Sequence, residues 1–252
     1  MTLSTSIPIA ATLTAALAVL PPAGPNPPSH DAVERFLTQS ATPLTSAVTF
    51  RHLEATARGG SLRGWLDACT ILDGREMRYS IVAQGGSSAV RKRALVAALE
   101  GEVKARRSGE TGRASLHPDN YEFTPAAEPD AGLVRVALRP RRSESLLVKG
   151  AMYLAPGDGD LVRVEGALVK APSFWTRRVR VDRRYARVGG VRVPVSMTST
   201  ASVLVVGEST FSMAYSYLAI NGAPVVDPRA PEAARTCTAP AKAERAQQPE
   251  DK

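Results

Sequence analysis

The sequence predicts an α+β protein that is mostly β: one antiparallel meander covered by one or two helices. Three observations predict it. Strand-like runs follow one another after Gly132, short turns separate them, and only two stretches of the chain carry helical spacing.

Ser29-His30-Asp31 opens the first helical stretch, where Val33, Phe36 and Leu37 fall at i, i+3 and i+4 and give one narrow apolar face. Residues 47–55 read as a strand because Val48 and Phe50 alternate, although Phe50 and Leu53 would also share a helical face. Trp65 to Leu72 and Met77 to Ala83 form a hairpin across Asp73-Gly74, since both residues tolerate positive φ. In its second strand Met77, Tyr79, Ile81 and Ala83 share one face, with Glu76, Arg78, Ser80 and Gln84 on the other. Ser87 or Ser88 can cap the second helix, in which Val90, Ala94 and Ala97 or Ala98 form one series at helical spacing and Leu95, Leu99 and Val103 another. Arg106 and Arg107 in its last turn complement the helix dipole.

Strands over 133–139, 146–154, 161–170, 175–188, 191–206 and 211–220 follow. The turns at 156–160, 189–190 and 207–209 are short enough to join antiparallel neighbours, so chain order predicts sheet order. Alternation puts Val191, Val193, Val195 and Met197 on the inward face of one strand. Phe211, Met213, Tyr215 and Tyr217 take that face of the last.

With 44% hydrophobic and 22% charged residues, and no apolar run near the roughly 20 residues that cross a bilayer, the chain reads as globular rather than membrane-spanning. Met1 to Ala23 has no charged side chain and an apolar stretch from Ile7 to Leu20, which predicts a signal peptide over 1–23 and export to the periplasm or beyond. A Pro-rich lead-in covers 24–28, a single domain 29–222, and an Ala-, Pro- and charge-rich tail without periodicity, read as disordered, 223–252. Cys69 and Cys237 can pair in an oxidising compartment, closing a loop of about 170 residues worth on the order of 5 kcal/mol. An inward Cys69 with a free thiol in the tail is the alternative, and the sequence leaves both open.

The chemistry-bearing residues are sparse. His30, His52 and His117 are scattered, and no HExxH, CxxC or other metal-ligand spacing occurs. No phosphate-binding glycine loop is present, so no cofactor is expected. Gly207-Glu208-Ser209-Thr210-Phe211 lacks the final Gly and the strand-to-helix setting of a nucleophile elbow. Asp158-Gly159-Asp160 reads as a turn, because the later ligands of a calcium loop are missing.

Charge is the one anomaly. Between Lys170 and Arg192 the basic residues Lys170, Arg177, Arg178, Arg180, Arg183, Arg184, Arg187 and Arg192 face a single acid, Asp182, which concentrates there nearly all of the formal charge of +8. Strand parity puts Arg178, Arg180 and Arg184 beside Asp182 on the outer face and Arg177 and Arg183 with Val179, Val181 and Tyr185 on the other. The outer arginines read either as a contact for an anionic envelope component or as a solvated strand face. A basic groove interleaved with aromatics is missing, which disfavours nucleic acid.

Leu138-Arg139-Pro140-Arg141-Arg142, the run from Gly159 to Gly166, Lys170-Ala171-Pro172-Ser173-Phe174-Trp175, Arg183-Arg184-Tyr185 and Gly190-Val191-Arg192-Val193-Pro194-Val195 resemble bacterial envelope proteins that look like the LolA/LolB lipoprotein-carrier superfamily, whose members serve outer-membrane lipoprotein sorting. The order of helix, hairpin, helix and long meander suits it. The resemblance implies a curved half-barrel whose helices close over an apolar cavity able to accept acyl chains, with no ligand residue carried over by motif. Candidate lining residues are Val193, Val195, Met197, Met213, Tyr215 and Tyr217. The leading expectation is thus a non-enzymatic periplasmic protein that binds a lipid, an acylated protein or another apolar partner. An envelope module docking through Arg178, Arg180 and Arg184 comes second, and an enzyme using His52, His117 or Cys69 last.

Overall fold

The computed structural model describes residues 28–39, 42–126, 131–171, 176–204, 207–227 and 230–237. The expected signal peptide, the lead-in up to residue 27 and the chain beyond Cys237 lie outside the described residues. The fold class is as the sequence predicts. Strands β1 (Ser46–Ala57), β2 (Leu62–Asp73), β3 (Glu76–Gly86), β4 (Tyr121–Pro125), β5 (Val134–Pro140), β6 (Val148–Leu154), β7 (Leu161–Leu168), β8 (Thr176–Val188), β9 (Val191–Val203) and β10 (Gly207–Ile220) form one open antiparallel sheet. Its order is β3-β2-β1-β10-β9-β8-β7-β6-β5-β4, with the two-residue β11 (Ala223–Pro224) against β10. From β4 to β10 chain order is sheet order. The one non-sequential join seats β1 beside β10.

Turn chemistry follows the sequence closely. Gly189 and Gly190 both take positive φ, 56° and 79°, which is the backbone of a type I′ hairpin between β8 and β9. In the β2–β3 hairpin Asp73 pairs with Glu76, so the turn residues are Gly74 and Arg75, one position later than expected.

Helix α1 (Pro28–Thr38) packs on β4, β5 and β6. Ala32, Val33 and Phe36 are its buried residues, whereas Leu37 is exposed, so the buried face is turned one position from that expected. The second helix is α2 (Ser88–Val90), a π-helical segment (Arg91–Val96) and α3 (Ala97–Arg107), followed by the single turn α4 (Glu110–Arg113). Ser87 caps it by accepting from the Val90 amide. Its Val90, Leu95 and Leu99 are buried over β1, β2 and β3.

Two cores therefore lie on one face of the sheet, here the inner face. The first joins Leu53, Leu66, Met213 and Val193 to Leu95 and Leu99 of the split helix. The second joins Val136, Met152, Leu154 and Val164 to Ala32, Val33 and Phe36 of α1. Gly159 (φ 71°) lets α1 rest on the β6–β7 turn, because a Cβ there would stand 2.7 Å from the Ala32 carbonyl. No helix among the described residues is long and apolar enough to cross a membrane.

The tail expectation needs correction where the chain is described. Residues 223–227 and 230–237 include β11 and a 3₁₀ turn (Glu232–Thr236), and a Cys69–Cys237 disulfide ties them to β2 with Cα atoms 5.4 Å apart. Ala234 and Cys237 pack with Phe50 and Cys69 on the outer face. Composition missed this because a covalent bond and a small apolar patch, not periodicity, hold the segment.

Candidate functional site

Residues directly opposite one another in a sheet share a face, so the register lays out the inner face row by row. One row runs Leu66, Leu53, Met213, Met197, Arg183, Val164, Met152, Val136 from β2 to β5. Arg183 is its only charged member. Both ends of the row are buried, Leu66, Leu53 and Met213 in the first core and Val164, Met152 and Val136 in the second. In the middle, Met197 is half-buried and belongs to neither core, and Arg183 is exposed. The split helix sits over β1–β3 and α1 over β4–β6, so the middle of β8 and β9 has the least helix cover, and this strip is called the trough below.

Along that trough the aromatic and sulfur-bearing side chains gather. Tyr215, half-buried, stacks on Tyr217 with ring centroids 6.4 Å apart, and the Tyr217 hydroxyl donates to the Pro194 carbonyl at 2.9 Å. Of the lining residues expected, Val193, Met213 and Tyr217 are buried core, while Met197 and Tyr215 are partly accessible. Val195 is also partly accessible. It is the extra residue of a β-bulge, where pairing passes from Arg184–Ser196 to Tyr185–Pro194.

The polar centre of this face was not found from sequence. Arg51 of β1 is only 6% exposed and pairs with Glu102 of α3 at 2.5 Å, while its guanidinium carbon stands 5.0 Å from the Tyr215 ring centre. Arg106 adds a second contact to Glu102 at 3.0 Å. Burial works against the Glu102 carboxylate, but Arg51 and Arg106 overcome it and hold the group down to about 2. Burial likewise opposes the Arg51 charge, and Glu102 with the two tyrosines more than offsets it. The signal was present: Arg51 has the parity of Leu53 and Ala55, and Glu102 and Arg106 share a helix face at i, i+4.

Arg183 differs from every other paired arginine of the sheet. Its contacts are the Met197 sulfur at 3.2 Å and Tyr185. Enclosure opposes its charge, while Tyr185, Tyr215 and Glu102 outweigh that and keep the guanidinium protonated. It is open to solvent, and its charge is felt by Tyr185 of β8, Tyr215 of β10 and Glu102 of α3. Arg51, Arg106 and Arg183 against Glu102 leave two positive charges in excess there.

The outer face carries the other arginines. Arg178, Arg180 and Arg184 are exposed, and no ion pair or hydrogen bond engages their side chains among the described residues. Asp182, their neighbour, is taken by Arg163 at 2.5 Å, and Glu165 by Arg163 and the Tyr153 hydroxyl. A shallow hollow of about 510 Å³ lies on this face among Arg135, Lys149, Arg180, Thr198 and Thr200. Arg187 and Arg192 are structural, since both pair with Asp160 at 2.7 and 2.6 Å at the foot of α1.

The candidate reactive groups do not meet. His52 lies on the outer face between Asp67 at 2.6 Å and Glu54 at 3.1 Å and stacks on Trp65. Burial opposes its charge, while Asp67 and Glu54 outweigh that and raise its pKa. His117 pairs with Asp119 in the loop after α4, and Cys69 is in the disulfide. Among the described residues no group of three His, Cys, Asp or Glu is placed to hold a metal.

No family model matches the chain, and no curated protein does. Two solved structures are similar to it. One is a LolA superfamily protein from Nitrosomonas europaea, 11% identical over 75% of this chain and 91% of that one, with a TM-score of 0.35. The other is a DUF1329 family protein from Desulfovibrio piger, 12% identical over 75% of this chain and 90% of that one, with a TM-score of 0.38.

Proposed function

We propose that this is an exported, non-enzymatic binding protein of the bacterial envelope whose half-barrel takes an acyl chain or another apolar partner along its inner face. One observation carries the reading: the apolar inner face thins between the two cores, where Met197 belongs to neither and Tyr215 and Phe211 at the edge of one and Val181 at the edge of the other stay partly accessible. A closed sheet protein would bury such side chains, and a strip of them flanked by helices suits a long thin apolar ligand. The uncharged apolar segment over 1–23 and the Cys69–Cys237 disulfide support export to an oxidising compartment.

Native mass spectrometry of the protein purified from its own envelope, followed by lipid extraction, tests this. A stoichiometric adduct that yields an acyl lipid is the expected result. Adduct-free protein that also takes up no added lipid would overturn it.

A second reading rests on the unpaired outer arginines. Arg178, Arg180 and Arg184 would dock an anionic surface, with attraction that falls as salt rises. Reversing all three to Glu abolishes low-salt association with envelope membranes under this reading. Unchanged association counts against it.

A further inference from the structure

Arg183 has a consequence for the ligand, one that rests on the apolar-trough reading above. Four other arginines of the sheet meet a carboxylate: Arg51 meets Glu102, Arg163 meets Asp182, and Arg187 and Arg192 share Asp160, while Arg35 and Arg91 of the helices each keep a buried Nε–H without a hydrogen bond. Arg183 meets none, and its contacts are the Met197 thioether and Tyr185. An exposed guanidinium on the outer face is solvated from all sides and needs no partner. Arg183, though open to solvent, stands in a row that is otherwise apolar from Leu66 to Val136, where partial enclosure opposes its charge.

The groups around it do not cancel that charge. Glu102, the one acid among them, is already shared by Arg51 and Arg106. Arg51 is buried and its Nε–H makes no hydrogen bond, leaving a donor unused on the same face. Apolar surface on both sides of one unpaired cation matches a molecule with an apolar chain and one negative end.

We infer that the trough binds amphiphiles with a single anionic head group, carboxylate or phosphate, and that Arg183 is the counter-ion to that head while the chain lies along Met197 and the neighbouring apolar residues. The outer arginines play no part in this selection. Guanidinium suits either head group, since its fork of N–H donors matches both carboxylate and phosphate oxygens.

The test is competition against a fluorescent apolar probe, with dodecanoate, dodecyl phosphate, dodecanol and dodecyltrimethylammonium as competitors and butyrate and inorganic phosphate as chain-free controls. Dodecanoate and dodecyl phosphate are expected to compete about tenfold or more better than dodecanol and the cation, the scale of one charge-assisted contact. Arg183→Leu removes that preference and leaves dodecanol unchanged, Arg183→Lys keeps part of it, and Arg184→Leu, on the opposite face, keeps all of it. Unaltered dodecanol competition shows that the Arg183 variant is folded.

Equal competition by dodecanoate and dodecanol in the unaltered protein, or a preference that survives Arg183→Leu, overturns this inference and leaves the apolar trough standing. Competition by butyrate and phosphate as strong as by the dodecyl anions also overturns it, as a small-anion site. Failure of every dodecyl compound to compete removes both the inference and the reading beneath it.

Discussion

Arg183 and Arg184 are neighbours in β8 and live in different surroundings. Arg184 lies on the outer face, opposite Ser196 and Arg163, and water solvates it. Arg183 lies on the inner face, opposite Met197 and Val164, between two apolar cores. The same contrast separates the ends of the inner face from its middle. Beneath the helices Leu53, Leu66 and Met152 are fully buried, and between them Met197 keeps contact with solvent. Composition alone treats the basic run as one patch; the pleat divides it into a solvated stripe, a structural pair around Asp160 and one inward cation.

Truncation should expose this contrast most strongly. Leu99→Ala or Leu53→Ala, each at 0% exposure, is expected to cost about 2 to 5 kcal/mol in urea unfolding. Met197→Ala should cost less than about 1 kcal/mol, because the trough already leaves that side chain partly in water. Similar losses at Leu53 and Met197 would mean that the middle is as closed as the ends.

The buried ion pair comes next. Glu102→Gln leaves Arg51 with a neutral partner in a buried place, for a loss of about 3 kcal/mol or more. The folded carboxyl lies at about 2, below its ordinary 4.5, so its contribution is whole above pH 4.5 and disappears as pH falls toward 2. Acid unfolding of the unaltered protein should steepen in that window, and the Gln variant should lack the steepening.

Smaller effects belong to the outer face. His52 has a raised pKa, so the stability it lends through Asp67 and Glu54 is complete below its ordinary 6.5 and fades as pH rises through the raised value. It is part-exposed, which keeps the effect small, and His52→Gln should flatten the change in melting temperature across that range. Substituting Arg184 by Leu should change stability by less than about 0.5 kcal/mol.

Much of this architecture was legible in the sequence because its signals are local. Alternation marks β3, glycine pairs mark the β8–β9 turn, and parity alone turns Arg183 inward. The pieces that escaped depend on distant partners. β4 is five residues long and too short for alternation to announce, and β1 joins β10 across most of the chain. Arg51 and Glu102 lie 51 residues apart on different elements, so neither predicts the other. Ala32 replaces Leu37 in the core because the contact with Gly159 sets how α1 turns.

On the function proposed above, the middle of the inner face takes an apolar chain while the ends are closed. Quenching by a brominated fatty acid tests it most directly, using Met197→Trp beside the unaltered protein and a second variant, Ser196→Trp, whose side chain lies on the outer face. The account predicts strong added quenching from Trp at 197 and none from Trp at 196. Equal quenching at the two positions, or none at 197, would contradict it.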